Sequence, residues 1–296
     1  MTLILDGKAA RAFYADRLKN DIAKLSQKPR LAIIQVGERE ESAAYIKSKI
    51  KFGEEIGAKV EHIKFPESVN ESEIIEKINY LNEERNTNGI IVQLPIPESL
   101  SKQKIIDAIL PSKDVDGLTV ANTKVRVNGY KSAIFPATAR GVVELLNFYK
   151  ITIKGKKVAV LGMSALAGSP ITLIIQREGG FTFHCNSKIP RDEEIKLTRG
   201  SDIIIVAIGK PKFLTSEFFT EGANQTVVDV GINKISEGEV LKLKEEVPKA
   251  KFVGDVDFDN VEPIVGAITP VPGGVGQMTV LALFENLFDC VTGGPK

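Results

Sequence analysis

The sequence predicts an α/β protein with two α/β domains flanking a cleft, the second a Rossmann-like doubly wound parallel sheet. Short apolar runs typical of buried parallel strands alternate with helical stretches along most of the chain. A polar, irregular segment over residues 111–136 interrupts this alternation. After it, residues 157–170 have the pattern of an apolar strand, a glycine turn and a helix start. That pattern favours the binding of a dinucleotide pyrophosphate.

Strands and helices alternate through the first part of the chain. Loosely helical spacing of apolar residues predicts a helix over residues 7–26. Acidic residues at the start and a glycine at the end predict a second helix over 38–57. Because helices follow the strands, the strands are expected to be parallel. The other elements predicted before residue 111 are strands at 31–36, 59–65 and 89–94 and helices at 72–82 and 102–110.

The alternation returns after residue 137. The predicted strands are 157–161, 182–184, 202–208, 226–230 and 251–254, and the predicted helices are 138–149, 170–178, 192–198, 216–219 and 276–291. The Lys- and Glu-rich stretch 235–251 is interpreted as a solvated surface excursion. We therefore predict a first domain of residues 1–137 plus 263–296 and a second domain of residues 138–262, with the functional site in the cleft between them.

Composition argues against several classes of function. The 296 residues include 39 basic and 38 acidic side chains, and a net charge of +1 gives no broad field for nucleic acid or an anionic membrane. No apolar run is long enough to span a bilayer and the first residues do not resemble a signal peptide, so a cytoplasmic location is expected. Only two histidines and two cysteines are present, which disfavours a histidine-based triad and a disulfide framework. His184 and Cys185 are a weak candidate pair of metal ligands, since no further Cys or His stands nearby.

The helix predicted over 38–57 carries a candidate catalytic group. Tyr45 and Lys49 are four residues apart, so they share a helix face, with Ser42 on the same side. An exposed surface pair is the simpler interpretation. The alternative is a tyrosine platform beside a desolvated lysine, whose lowered pKa would allow proton transfer near neutral pH.

Three further segments offer polar groups or close backbone approach. Gln93 ends a predicted strand, where it can orient a lysine or a polar substrate atom or merely satisfy backbone groups. Asp114 and Asp116 can read an amino-pyrimidine edge through paired hydrogen bonds, or can form a turn before Gly117. The loop 270–276 has three glycines that allow a ligand to approach the backbone, or it is simply a helix-entry loop.

The residues that follow the glycine turn bear on the choice of cofactor. In a Rossmann unit an acidic residue about 20 positions after the turn binds the ribose 2′-hydroxyl of NAD. No acid stands there in this chain. Ser187 and Lys188 stand there instead, and they favour a 2′-phosphate and hence NADP. Strand-end turns at 207–211 and 230–233 offer further backbone for the adenine, ribose or nicotinamide portions.

Seven motifs together resemble the bifunctional methylenetetrahydrofolate dehydrogenase/methenyltetrahydrofolate cyclohydrolase family. Each motif alone is weak, but they follow the family's order and cover nearly the whole chain. They are residues 42–49 (SAAYIKSK), 92–95 (VQLP), 113–118 (KDVDGL), 162–170 (GMSALAGSP), 229–233 (DVGIN), 253–256 (VGDV) and 268–276 (ITPVPGGVG).

The resemblance implies an activity and a set of residue roles. It implies oxidation of 5,10-methylenetetrahydrofolate with NADP and hydrolysis of the methenyl product to 10-formyltetrahydrofolate, both at one interdomain site. It also implies a homodimer and a place in one-carbon metabolism and purine biosynthesis. Lys49 would be the catalytic lysine, supported by Gln93. Tyr45 would stack on the aminobenzoate and Asp116 would hold the pterin. The remaining implied contacts are Leu94, Pro272, Gly273 and Gly274 for folate and Gly162, Met163, Ser164, Ser187, Lys188 and Ile232 for the cofactor. The resemblance implies no metal.

Three departures from the family pattern matter. Met163 stands where the family often has an arginine that can pair with a 2′-phosphate, so use of NAD as well as NADP is expected to be possible. Gln277 replaces a usual proline, and residues 135–139 (FPATA) replace a common Pro-Cys-Thr-Pro form. Two alternatives stay open: another NADP-dependent dehydrogenase, acting on a hydroxy acid or a shikimate-like substrate, and a non-catalytic folate- or nucleotide-binding protein.

Overall fold

The computed structural model describes residues 1–38, 40–128, 134–220, 222, 224–235 and 251–293. Most of the stretch interpreted as a surface excursion, residues 236–250, lies outside these ranges. Within them, no helix combines the length and the apolar character that a membrane span requires.

The helices and strands largely follow the predicted order. In chain order the strands are β1 (Leu3–Ile4), β2 (Arg30–Val36), β3 (Lys59–Phe65), β4 (Gly89–Val92), β5 (Lys157–Leu161), β6 (Phe181–Cys185), β7 (Ile203–Val206), β8 (Thr226–Asp229), β9 (Asn233–Ile235), β10 (Lys251–Val253) and β11 (Ala267–Ile268). The α-helices are α1 (Gly7–Ala23), α2 (Glu40–Ile56), α3 (Glu71–Glu83), α4 (Lys102–Asp107), α5 (Val120–Val127), α6 (Ala137–Phe148), α7 (Gly168–Arg177), α8 (Arg191–Arg199), α9 (Phe258–Val261) and α10 (Val275–Thr292).

The chain divides into two compact units. The six-stranded unit contains residues 1–11 and 138–279, and the three-stranded unit contains residues 12–137 and 280–296. These units differ from the predicted domains in residues 1–11 and 263–279, which belong to the six-stranded unit. The reason is strand pairing: β1 pairs with β11 and β11 pairs with β8, so both short strands belong to the six-stranded sheet. Of the three boundaries between the units, those at 11/12 and 279/280 fall inside α1 and α10, and the one at 137/138 follows the first residue of α6.

The three-stranded unit has a parallel sheet in the order β3-β2-β4. The central strand is apolar on both faces, and its residues 31–34 are fully buried. Helix α3 buries Ile74, Ile78 and Leu81, whose spacing of four and three residues places them on one face. They join β2 and α4 side chains in one apolar cluster. The sheet therefore holds the carboxyl end of β4, and with it Gln93, in a fixed place.

Helix α5 lies inside the segment that was predicted to be irregular. The side chain of Thr119 accepts a hydrogen bond from the backbone N–H of Asn122 at 3.2 Å and so caps the helix start. The sequence pattern missed this helix because it is short and its buried side chains are polar, namely Asn122 and Arg126.

The six-stranded unit has a parallel sheet in the order β1-β11-β8-β7-β5-β6. The α/β class and the parallel sheets are confirmed. The apolar run at β7 is buried along its whole length, as expected for a central strand. Strand β10 does not join this sheet, since it pairs antiparallel with β9. Strands β1, β9 and β11 were not predicted because two or three residues are too few to carry a periodic signal.

Candidate functional site

The first group of candidate residues lies in the three-stranded unit, around Lys49. The Lys49 Nζ donates a hydrogen bond to Gln93 Oε1 at 2.9 Å. The Gln93 Nε2 donates to the carbonyl oxygen of Leu94 at 2.8 Å, which directs the amide oxygen towards the lysine. Gln93 is itself buried, and its backbone N–H donates to Ile34 on β2. The glutamine therefore holds the amine in a defined position with a neutral acceptor.

Asp116 forms an electrostatic pair with Lys49. Burial lowers the pKa of the Lys49 ammonium below its ordinary value, and the charge of Asp116 opposes part of that shift. Burial also raises the pKa of the Asp116 carboxyl, which Lys49 opposes and Asp114 reinforces. Both groups are half-buried and both are shifted towards their neutral forms. A lysine in this environment can lose and regain a proton under milder conditions than an exposed one.

The two neighbouring aspartates have different surroundings. Asp114 is buried and accepts hydrogen bonds from the backbone N–H groups of Leu118 and Thr119 and from the Asn122 amide. It therefore shapes the turn, as the simpler interpretation of this acidic pair predicted. The residues on either side of Asp116 are fixed by their carbonyl oxygens: Arg126 donates to Gly117 at 2.7 Å and Asn286 donates to Val115 at 2.8 Å. These contacts fix the backbone on both sides of Asp116, whose charge interacts with that of Lys49.

Tyr45 and Ser42 differ in solvent exposure, although both were predicted on the same helix face as Lys49. The Tyr45 side chain is 40% exposed, whereas Ser42 is buried. Tyr45 therefore offers an accessible aromatic ring one helical turn from Lys49. Its predicted contact with an aminobenzoate stays a prediction.

The loop before α10 belongs to the six-stranded unit. The carbonyl oxygen of Gly273 accepts a hydrogen bond from the Gly7 N–H at 2.9 Å, and a Cβ added to Gly7 would lie 2.0 Å from the Gly274 oxygen. These contacts account for glycine at position 7 by close packing. Pro272 is exposed. The predicted folate contacts of Pro272, Gly273 and Gly274 stay predictions. Gln277, which stands in place of a usual proline, accepts a hydrogen bond from Arg11 at 2.9 Å.

The second group of candidate residues surrounds the glycine turn after β5. Gly162 has φ of +91°, and a Cβ at this position would lie 2.3 Å from the carbonyl oxygen of Ala207. A Cβ at Gly168 would lie 1.7 Å from the Gly162 oxygen. The two glycines let the start of α7 approach the ends of β5 and β7, which presents the positive end of the helix dipole at the turn.

A cavity of about 570 Å³ opens at this turn. Of the predicted cofactor contacts, Gly162, Met163, Ser164 and Ser187 line it. Lys188 and Ile232 do not, and both are exposed. The backbone N–H of Lys188 donates to the Asn186 side chain, so this residue shapes the turn after β6.

Two cations and one acid that the sequence interpretation missed also line the cavity: Arg191, Lys210 and Glu194. The Arg191 guanidinium lies 4.9 Å from the centre of the Phe218 ring and pairs with Glu217, so it is held in place. Burial raises the pKa of the Glu194 carboxyl, and Arg191 and Lys210 oppose that shift. The sequence signal was the position of Arg191, four residues after Ser187 at the start of a predicted helix.

The cavity fits the phosphates of a dinucleotide. Gly162 and Gly168 stand where an added Cβ would collide with backbone, so the space at the helix start stays open for a phosphate, and two cations supply positive charge nearby.

Cys185 lies in the wall of the cavity, where burial raises the pKa of its thiol to about 12 and keeps the thiol neutral. His184 is exposed whereas Cys185 is buried, as expected for neighbours on a strand, so they do not converge as metal ligands. Among the described residues no group of three or more His, Cys, Asp or Glu side chains is arranged to hold a metal ion.

Comparison with known proteins assigns both groups of residues to one family. Residues 5–116 match the tetrahydrofolate dehydrogenase/cyclohydrolase catalytic domain, and residues 136–293 match the NAD(P)-binding domain of the same family. The chain belongs to this family. The motif resemblance found in the sequence is thereby confirmed.

Individual relatives align with the chain over nearly its whole length. The chain is 40% identical to "Bifunctional protein FolD 1" of Geobacter metallireducens, over 97% of this chain and 99% of the relative. The crystal structure of the Campylobacter jejuni bifunctional enzyme FolD, a methylenetetrahydrofolate dehydrogenase/cyclohydrolase, is 36% identical with a TM-score of 0.90 and covers 99% of both chains. The Trypanosoma brucei FolD structure, complexed with NADP cofactor and inhibitor, is 30% identical with a TM-score of 0.89 and covers 98% of this chain and 97% of its own.

Proposed function

We propose that this chain is a bifunctional enzyme that oxidises 5,10-methylenetetrahydrofolate with NADP and hydrolyses the resulting 5,10-methenyltetrahydrofolate to 10-formyltetrahydrofolate. Membership of the family supports both activities. The observation that carries the proposal is the hydrogen bond from Lys49 to Gln93, beside Asp116, because hydrolysis needs a group that transfers protons.

Lys49 performs the proton transfers of the hydrolysis. Water adds to the cationic methenyl carbon, and the neutral Lys49 amine takes the proton that the water loses. The resulting ammonium gives a proton to N5 as the bond between the methenyl carbon and N5 breaks. The hydroxyl group loses its remaining proton as it becomes the formyl oxygen on N10, and this is the one proton that the reaction releases overall. Gln93 accepts a hydrogen bond from the amine in both protonation states and keeps it oriented.

The dehydrogenase reaction needs the residues around the glycine turn as well as those that bind and transform the folate, whereas the hydrolysis does not use the cofactor residues. NADP, when bound, supplies the acceptor for the hydride that leaves the methylene carbon. The turn Gly162–Ser164 and the start of α7 hold its phosphates, and Ser187 lies beside the site of the 2′-phosphate. Tyr45, Asp116, Leu94 and Pro272 to Gly274 bind the folate in this proposal. Tyr45 supplies a ring for stacking and Asp116 a carboxyl for the pterin edge.

An assay of the purified protein tests both activities. Incubation with 5,10-methylenetetrahydrofolate and NADP should produce reduced cofactor, and added methenyltetrahydrofolate should lose its absorbance faster than in buffer. Absence of hydride transfer with both NADP and NAD would refute the dehydrogenase. Family membership disfavours a hydroxy-acid or shikimate-like dehydrogenase, and activity in this assay would exclude a protein that only binds folate or nucleotide.

The cofactor preference depends on Arg191 in our proposal. Met163 carries no charge, and Arg191 and Lys210 are the cations in the cavity wall. Replacing Arg191 with alanine should weaken NADP binding about tenfold and leave NAD binding within about twofold, because a charge-assisted contact to the 2′-phosphate is lost. Titration calorimetry measures both constants. Lys188→Ala is the matched control, since Lys188 is a nearby cation that does not line the cavity. Equal losses of NADP and NAD in Arg191→Ala, or a larger loss in the control, would contradict this assignment.

Three further properties are also proposed. They are a homodimer, a cytoplasmic location and a role in purine biosynthesis. Among the described residues β3 is an edge strand of the three-stranded sheet, and an edge strand can pair with a partner through its backbone groups.

A further inference from the structure

The carboxylate of Asp255 has an unusual concentration of donors. It is fully buried and accepts backbone hydrogen bonds from Ile208 at 2.6 Å, Gly209 at 2.8 Å and Lys210 at 2.9 Å. The Asn233 side-chain amide adds a fourth bond at 2.8 Å. Three consecutive N–H groups of one turn are thus fixed by a single side chain that stands more than 40 residues away in sequence.

A second buried carboxylate holds Asp255 in turn. Asp229, at the end of β8, accepts hydrogen bonds from the backbone N–H groups of Asp255 at 3.0 Å, Val256 at 2.8 Å and Gly231 at 3.0 Å. Burial raises the pKa of the Asp229 carboxyl to about 7, against the lowering effect of these N–H donors. The packing is reciprocal. A Cβ on Gly254 would lie 1.9 Å from the Asp229 carboxylate, and one on Gly231 would lie 2.2 Å from that of Asp255.

The turn that Asp255 fixes belongs to the wall of the dinucleotide cavity. Ile208 and Lys210 both line it. The turn follows β7, at the carboxyl end of the sheet where dinucleotides bind. Gly209 and Lys210 are exposed, and Gly209 has φ of +76°. Ile208 packs against an apolar cluster, whereas the backbone N–H groups of the turn are held by their bonds to Asp255.

We propose that Asp255 is a positioning residue for the dehydrogenase reaction, which it serves by fixing the turn Ile208–Lys210 as a wall of the NADP site. This inference rests on the proposed function. Hydrolysis of the methenyl compound does not use the cofactor, and Lys49, Gln93 and Asp116 belong to the three-stranded unit. The role of Asp255 should therefore appear in one activity and be absent from the other.

Asp255→Asn is the sharpest variant because it keeps the shape and changes the hydrogen bonding. The new amide has one oxygen and one NH₂ group in place of two acceptor oxygens. The NH₂ group must face N–H donors of the turn in either orientation. Asp259→Asn is the matched control, since Asp259 is an exposed acid on the neighbouring helix α9.

Three measurements on the full-length protein test the inference. In Asp255→Asn the dissociation constant of NADP from calorimetry should rise about tenfold or more, and kcat/KM for NADP should fall by a similar factor. Methenyl hydrolysis should stay within about twofold of the wild type. Hydrogen–deuterium exchange should accelerate in peptides that cover residues 208–210 and stay unchanged in the control.

Two results would overturn the inference: unchanged NADP binding and exchange, or an equal loss of both activities. If Asp255→Asn does not fold, Asn233→Ala removes one donor to the same carboxylate. It should weaken NADP binding a few-fold without affecting hydrolysis; unchanged NADP binding there also counts against the inference. A wild-type protein without either activity would refute the proposed function instead, and calorimetry and exchange would still decide the role of Asp255.

Discussion

Replacing Lys49 with methionine should abolish the hydrolysis of methenyltetrahydrofolate while NADP binding persists. Methionine keeps an unbranched side chain of similar length but has no amine, so in the proposed mechanism water loses its proton acceptor and N5 its donor. General acid–base groups contribute about 10²- to 10⁴-fold to a rate, and we expect a loss in that range. The decrease in methenyl absorbance measures hydrolysis, and calorimetry measures NADP binding. Lys47→Met, an exposed lysine on the same helix, is the control and should behave as the wild type.

The same amine should set the pH dependence of hydrolysis. In the proposed mechanism the neutral form of Lys49 accepts the proton from water, so the rate of hydrolysis should rise with pH through the pKa of Lys49 and become constant above it. Burial lowers that pKa, so the rise should occur below the ordinary value of 10.5. Asp116 raises the pKa of Lys49 by its charge, so Asp116→Asn should move the rise to lower pH at saturating substrate. Full hydrolysis in Lys49→Met, or an unchanged profile in Asp116→Asn, would remove the lysine from this role.

Replacing Gly168 with alanine should abolish NADP binding and dehydrogenase activity. The added Cβ would lie 1.7 Å from the Gly162 oxygen and 2.7 Å from its carbonyl carbon, and both are backbone atoms that cannot rotate away. The turn and the start of α7 must separate, which displaces the N–H groups that we propose hold the NADP phosphates. Calorimetry with NADP measures the loss, and thermal unfolding measures the accompanying destabilisation, about 1–3 kcal/mol for an overpacked site.

Gly200→Ala provides the comparison for Gly168→Ala. Gly200 ends α8 with φ of −83°, and its added Cβ would make only ordinary contact, 3.4 Å from the nearest atom. It lies in the same unit, so a general sensitivity of that unit to alanine would appear in both variants. NADP affinity within about twofold of the wild type in Gly168→Ala would mean that close packing at this turn is not needed for binding.

The elements that the sequence predicted are those with a local signal. The run Ile203–Val206 is apolar because both faces of the central strand are covered, so its place in the sheet can be seen in the residues themselves. Strands β1 and β11 have no such signal, since two residues pair only because distant parts of the chain meet. Their pairing places residues 1–11 and 263–279 in the six-stranded unit, whereas residues 280–296 stay with the three-stranded unit as predicted.

The residues of the candidate site also fall into those with a local sequence signal and those without one. Lys49 and Gln93 could be singled out because each stands at a position with a structural meaning, a helix face and a strand end. Arg191 was missed because the sequence alone does not show which of the two nearby cations, Lys188 or Arg191, lies at the cavity. In the structure Arg191 lines the cavity and Lys188 does not. Asp255 could be seen in a motif, but its role depends on donors from 208–210 and 233 that converge only in the folded chain.

The pairing of β1 with β11, and of β11 with β8, has a consequence for fragments of the chain. A fragment limited to residues 138–262 would contain β8 but neither of the two short strands beyond it. The side of β8 that β11 occupies in the intact chain would then be a bare edge, with main-chain donors and acceptors open to another molecule. Such a fragment should self-associate through that edge. A fragment extended to include residues 267–268 would keep residues 226 and 227 of β8 paired with β11 and should self-associate less.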